Sequence, residues 1–140
     1  MAYKPTQQFG GSGGSAFSDD LTQSCRVGAV NIRSGTYVDS IEFIYIKPGG
    51  STYSGGKHGG NGGTGASFKL VDGELIVRVD VRSGTYVDQL KFTTNLGNVY
   101  GPYGGNGGSA SAITGHIGGI FGRSGSLLDN IGFFNAATCP

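Results

Sequence analysis

Three aspartates each close nearly the same seven-residue run: Arg33-Ser34-Gly35-Thr36-Tyr37-Val38-Asp39, Arg82-Ser83-Gly84-Thr85-Tyr86-Val87-Asp88 and Arg123-Ser124-Gly125-Ser126-Leu127-Leu128-Asp129. A carboxylate after a short turn offers two acceptor oxygens with about four lone-pair sites. Three glycine runs accompany the aspartates: Gly10-Gly11-Ser12-Gly13-Gly14, Gly59-Gly60-Asn61-Gly62-Gly63 and Gly104-Gly105-Asn106-Gly107-Gly108. A bare glycine run tolerates positive φ and lets a ligand approach main-chain N–H donors closely. Donors and a carboxylate around one small space suit a ligand with adjacent hydroxyls. Each hydroxyl can donate to the carboxylate and accept from an N–H, and such charge-assisted bonds are about twice as strong as neutral ones. Vicinal hydroxyls of this kind belong to sugars.

Rival chemistries fit the residues less well. Gly60-Asn61-Gly62-Gly63-Thr64-Gly65 matches the dinucleotide pattern G-x-G-x-x-G, but that motif needs a following helix. No helix is expected there, and near-copies recur at Gly11–Ala16 and Gly105–Ala110. No lysine of the phosphate-loop type follows any glycine run. His58 and His116 are the only histidines, and neither has a partner at ligand or triad spacing. His58 reads as a solvated loop residue, His116 as the end of a strand, and the acidic pair Asp19-Asp20 as a solvated loop. Hydrolytic carboxylates would have to stand about 5–9.5 Å apart, whereas the repeat separates the three aspartates into equivalent positions. No calcium loop with several oxygen ligands is visible. No catalytic residue, metal or cofactor is therefore expected. A single G-x-x-x-D would read as a tight turn whose aspartate caps local N–H groups. Three copies, each matched with a glycine loop, favour binding instead.

The elements that must position these residues follow from the repeat itself. The glycine runs start 49 and 45 residues apart, which divides a single domain of residues 1–140 into copies at about 9–58, 59–103 and 104–134 plus a C-terminal tail. In Leu75–Arg82 the odd positions are apolar and most even ones are charged, the period of a half-buried strand. Leu90 and Phe92, Ile41 and Phe43, and Ile131 and Phe133 alternate in the same way after each aspartate loop, so these pairs should point inward. Glycine makes up 29 of 140 residues, well above the usual 7 % or so, and that density opposes helix formation. The expected fold is all-β: three four-stranded antiparallel sheets with pseudo-threefold internal symmetry, packed on one core that no copy could build alone. With regular pairing, the glycine and aspartate loops converge at one end of the molecule.

Charge and targeting narrow the partners. The net charge is +1 and the arginines are scattered, so a nucleic-acid partner held through phosphates is not expected. No stretch approaches 18 apolar residues, so no membrane insertion is expected. The segment Met1–Gln8 lacks the apolar centre of a signal peptide, which fits either a cytoplasmic protein or a sequence that begins after processing. Cys25 and Cys139 either form a disulfide, within or between chains, or remain two reduced thiols. The disulfide reading implies an oxidising compartment, and a secreted or extracellular location is favoured over a cytoplasmic one. A homodimer stays open.

The G-G-x-G-G loop linked to R-S-G-x-Y-x-D, three times over, resembles the jacalin-related lectins, whose fold is the β-prism I. The likeness runs from Phe9 to Phe134 and extends to algal members and to those of animal secretory granules. It implies that a sugar sits between the last glycine of one loop and the aspartate loop of the preceding copy. Gly14 then pairs with Asp129, Gly63 with Asp39 and Gly108 with Asp88. Backbone N–H groups of Ser126 and Leu127, Thr36 and Tyr37, and Thr85 and Tyr86 are implied to contribute. Tyr37 and Tyr86 are implied to stack on the sugar, where Leu127 departs from the aromatic pattern. The partners implied are glycans of glycoproteins or cell surfaces. The uncut run Gly13-Gly14-Ser15 resembles the mannose-binding subgroup, with up to three sites per chain; the alternatives are a galactose-specific lectin and a structural or protein-interaction module that binds no sugar.

Overall fold

A computed structural model describes residues 3–136. Among them the chain forms fourteen strands and no helix. Strands from both ends of the chain share one sheet. There β1 (Tyr3–Pro5), β14 (Leu128–Ala136), β13 (Ile117–Ser124) and β3 (Ser15–Ser18) lie in that order, with the two-residue β2 (Phe9–Gly10) also on β14. A second sheet has the order β6 (Thr52–Ser54), β5 (Val38–Ile46), β4 (Arg26–Ser34), β8 (Thr64–Lys69), with β7 (His58–Gly59) also on β5. The third runs β11 (Val99–Gly104), β10 (Val87–Thr94), β9 (Ile76–Ser83), β12 (Ser109–Thr114). Two sheets thus exceed the expected four strands by one short strand that leads into a glycine loop. Each sheet joins the aspartate loop of one copy to the glycine loop of the next.

Alternation builds the core. Ile41, Phe43, Leu90, Phe92, Ile131 and Phe133 are fully buried, and their strands β5, β10 and β14 touch one another pairwise. Three sheets facing one axis make a three-sided prism, its centre filled by β-branched and aromatic side chains suited to pleated surfaces.

In Leu75–Arg82 the buried face changes phase along the strand. Ile76, Val79 and Val81 are buried while Leu75 and Val77 are only half-buried. Thr93 pairs with Arg78 but Thr94 with Ile76, so Val77 is the extra residue of a β-bulge. A bulge inserts one residue and reverses which face the following side chains take. Gly28 and Gly118 hold the same place in β4 and β13.

Asp19 and His58 also depart from the solvated roles expected of them. Asp19 is buried, and its main chain bonds to Ile120, where the other sheets pair Val30 with Phe68 and Val79 with Ile113. A carboxylate thus occupies an apolar position. Tyr45 donates to its Oδ2 at 2.6 Å, and His58 Nε2 lies 2.6 Å from Oδ1. The His58 ring stacks on Phe17 with centroids 3.8 Å apart. Burial, and then the neighbouring Asp19 charge, push the Tyr45 phenol far above its ordinary value. His116 lies half-buried between β12 and β13, two residues past the strand end expected of it. Cys25 is disulfide-bonded rather than reduced; Cys139 lies outside the described residues.

Candidate functional site

Each of the three aspartates sits in a second bulge. Arg33 pairs with Ser40 and Ser34 with Val38, which leaves Asp39 as the extra residue. Asp88 and Asp129 are extra residues in the same way. The bulge turns each carboxylate away from its ladder and along the neighbouring glycine loop. A methyl group on Gly62 would meet Asp39 Oδ2 at 2.6 Å, and one on Gly63 would meet Oδ1 at 2.6 Å. Gly107 and Gly108 stand in the same way against Asp88, at 2.6 and 2.7 Å, and Gly13 and Gly14 against Asp129, at 2.7 and 2.8 Å. The last glycine of each loop has φ of +69° or +70°, a conformation that costs L residues with a Cβ roughly 1–2 kcal/mol. Glycine is therefore required twice over, by conformation and by the width of the gap. The three implied pairs, Gly14 with Asp129, Gly63 with Asp39 and Gly108 with Asp88, are brought together in space.

The arginine that opens each aspartate motif fixes the glycine loop. Arg33 donates from Nε to Gly62 O at 3.0 Å and from Nη2 to Gly63 O at 2.9 Å. Arg82 does the same to Gly107 O and Gly108 O, both at 3.0 Å, and Arg123 to Gly13 O and Gly14 O at 3.0 and 2.7 Å. With both carbonyls held on the arginine side, the peptide planes of the loop are set. From sequence alone no role is expected of these arginines. Their recurrence at the first position of all three motifs was the available signal.

The loops also close into a ring. A side chain on Gly11 would collide with Thr85 O, one on Gly60 with Ser126 O and one on Gly105 with Thr36 O. Gly105 N–H donates to Thr36 O at 3.1 Å. The glycine loop beside Asp129 therefore abuts the Asp88 turn, that beside Asp88 abuts the Asp39 turn, and that beside Asp39 abuts the Asp129 turn. Each turn is drawn tight by one main-chain bond of 2.9 Å, from Gly35 to Tyr37 O, Gly84 to Tyr86 O and Gly125 to Leu127 O. The Tyr37 and Tyr86 rings meet edge to face with centroids 5.1 Å apart, so each also packs on the other. Leu127, half-buried, holds the third such position.

Among the described residues, no hydrogen bond or ion pair is made by the carboxylates of Asp39, Asp88 or Asp129. None of their oxygens is both unpartnered and shut off from solvent. The tight-turn reading, in which the aspartate caps local N–H groups, does not describe them. Asp88 and Asp129 are buried and Asp39 half-buried, yet their carboxylate oxygens keep acceptor sites open to solvent. Burial raises the Asp88 carboxyl above its ordinary value, and Arg82 opposes that rise. No group of three or more His, Cys, Asp or Glu side chains that could hold a metal occurs among the described residues.

A three-sided β-prism carrying three such loop pairs defines a class, and sequence comparison agrees with it. The model of the Jacalin-like lectin domain matches residues 6–134, and the chain belongs to that family. It is 37 % identical over 137 residues to griffithsin of Griffithsia sp., covering 91 % of this chain and 93 % of that one. Among solved structures, Malaysian banana lectin superposes with a TM-score of 0.86 at 30 % identity over 98 % of this chain and 100 % of its own. A mannose-binding jacalin-related lectin from Ananas comosus does so at 0.86 and 28 % identity, over 94 % and 96 %. The architecture is that of the β-prism I lectins.

Proposed function

We propose that the chain is a mannose-type, calcium-independent lectin without catalytic activity. It carries three sites, formed by Gly14 with Asp129, Gly63 with Asp39 and Gly108 with Asp88. The observation that supports this most directly is the carboxylate left without an internal partner beside glycine backbone, three times over. A pyranose supplies what that gap lacks: one hydroxyl to donate to the carboxylate and another to accept from main-chain N–H groups of the two loops. The N–H groups of Thr36 and Tyr37, Thr85 and Tyr86, and Ser126 and Leu127 lie on the turns concerned. The relative from Ananas comosus is described as mannose-binding, and the uncut passage through Gly13-Gly14-Ser15 agrees with that subgroup.

The test is calorimetric. Methyl α-mannoside should titrate three equivalents per chain, with or without a chelator. Asp39→Ala, Asp88→Ala and Asp129→Ala should each remove one equivalent without changing the circular dichroism spectrum. If the triple variant still binds the mannoside as the parent does, the site assignment is wrong. Displacement by galactose in place of mannose would reassign the sugar.

A further inference from the structure

The outer face of the β6-β5-β4-β8 sheet carries a trough of about 340 Å³, lined by Asn31, Arg33, Ser40, Glu42, Lys57 and Ser67 with Gly65 beneath. That volume lies at the small end of ligand pockets. Register explains why the trough opens on this sheet. Beside Arg33 stand Gly65 and Ser40, and one step along the strands Ser67, Asn31 and Glu42 form a row. The corresponding row on the sheet centred on β9 and β10 is Ala112, Asp80 and Lys91, where Arg78 and Asp80 close over the strands as an ion pair at 2.9 Å. On the sheet centred on β13 and β14 it is Ser18, Phe121 and Gly132. There the Phe121 ring lies so close over Gly132 that a methyl group could not be added, and it packs on Phe134 with centroids 4.8 Å apart. An ion pair lies at this position on one of the other faces and an aromatic ring on the second, whereas here the position is open.

The hollow adjoins the site at Asp39. Arg33 binds the carbonyls of Gly62 and Gly63 and also lines the trough, so one guanidinium is the wall between the two. Its Nη1 lies over Gly65, 3.1 Å from where a Cβ would sit. Lys57 reaches from the trough to Asn61 of the glycine loop. The lining mixes donors and acceptors. Lys57, Arg33 and Ser67 can donate, while Glu42 accepts from Asn31 at 2.9 Å and from Ser54 at 2.6 Å and keeps lone pairs to spare. A mixed lining of that kind matches hydroxyl groups, which donate and accept.

From this juxtaposition we infer that the trough is an extended subsite for the next residues of an oligosaccharide whose terminal mannose sits against Asp39. This inference rests on the lectin reading. It makes the three sites unequal: the one at Asp39 reads a chain, whereas those at Asp88 and Asp129 read a terminal residue.

The experiment uses the full chain with Asp88→Ala and Asp129→Ala, so that Asp39 is the sole remaining carboxylate. Methyl α-mannoside and mannotriose are titrated by calorimetry. Mannotriose should bind about tenfold tighter than the mannoside, the worth of one or two hydrogen bonds. Adding Ser67→Tyr, which fills the trough, should abolish that advantage and leave mannoside binding unchanged, which also reports an intact fold. Lys57→Met, which removes a donor without adding bulk, should reduce the advantage several-fold. An advantage kept in full by both variants, or absent from the parent, overturns the subsite while the lectin reading stands. A parent that binds neither sugar overturns the lectin reading and the subsite with it.

Discussion

At the scale of single residues, the three aspartates carry acceptor oxygens without an internal partner, and the surroundings of Asp88 bear on its titration. Burial raises its carboxyl pKa and Arg82 opposes the rise. A raised carboxyl pKa means that the proton returns at a higher pH than usual, and the sugar needs the ionised form. Mannoside affinity at this site should therefore begin to fall on acidification above the ordinary carboxylate range near pH 4, and Arg82→Gln should move the fall to still higher pH. Titrations from about pH 7 to about pH 3 on a chain with Asp39→Ala and Asp129→Ala would decide it; a midpoint below the ordinary value contradicts the electrostatic account. Asp19 makes the opposite case, an acid whose role is structural. Asp19→Ala leaves the buried Tyr45 hydroxyl and the His58 ring without their partner, and leaving a buried donor unsatisfied costs about 1–3 kcal/mol. Urea denaturation should show a loss of that size while mannoside affinity at the three sites is unchanged. Neither Asp19 nor His58 could be recognised from sequence, because their partners are 39 positions apart and the local residues resemble any polar loop.

At the scale of the element, the unit that matters is a bulged hairpin tied to a glycine loop. The alternation that marks Ile41, Phe43, Leu90, Phe92, Ile131 and Phe133 as inward-facing is legible because no bulge places its extra residue within those stretches; the register shift at Leu90 and Phe92 puts its extra residue on β11. The phase of β9 is not legible, since a bulge at Val77 leaves no mark in an apolar run. The aspartate bulges were hidden for the same reason, although the repeated motif marked their position. What the motif also held, unread, was the arginine. Arg82 presents two parallel N–H groups to two consecutive carbonyls, Gly107 O and Gly108 O. A lysine ammonium lacks that planar fork. In a chain with Asp88 as its sole remaining site, Arg82→Ala should weaken mannoside binding about tenfold, the worth of two hydrogen bonds, and Arg82→Lys should restore only part. The thermal midpoint separates this from a purely structural role. If Arg82→Ala lowers the midpoint but leaves affinity intact, the arginine stabilises the hairpin and does not set the loop.

At the scale of the whole molecule, the closing of three loop pairs into a ring is what makes the repeat useful. Gly11 abuts Thr85, Gly60 abuts Ser126 and Gly105 abuts Thr36. Three mannose sites would thus share one end of the prism and the same rigid support. Repeat counting suggested such convergence, but only the cross-contacts between copies establish it, because spacing along a chain does not say which end of a sheet a loop occupies. Binding a second branch of one glycan then becomes an intramolecular event, governed by an effective concentration instead of the bulk one. Where branch length matches site separation, the gain over a single site is on the order of 10²–10⁴-fold without any new contact. A branched oligomannose glycan should bind the parent chain more tightly than any double aspartate variant by that margin. Methyl α-mannoside, which cannot bridge, should show the same intrinsic affinity per site in both, the parent differing only in stoichiometry. Surface plasmon resonance with immobilised glycan at low density tests this, because sparse glycans cannot be bridged by one protein across two molecules. A parent no more than about threefold better than the single-site chain, the statistical factor for independent sites, would mean that the carboxylates face apart and that the ring supports the fold rather than multivalent capture.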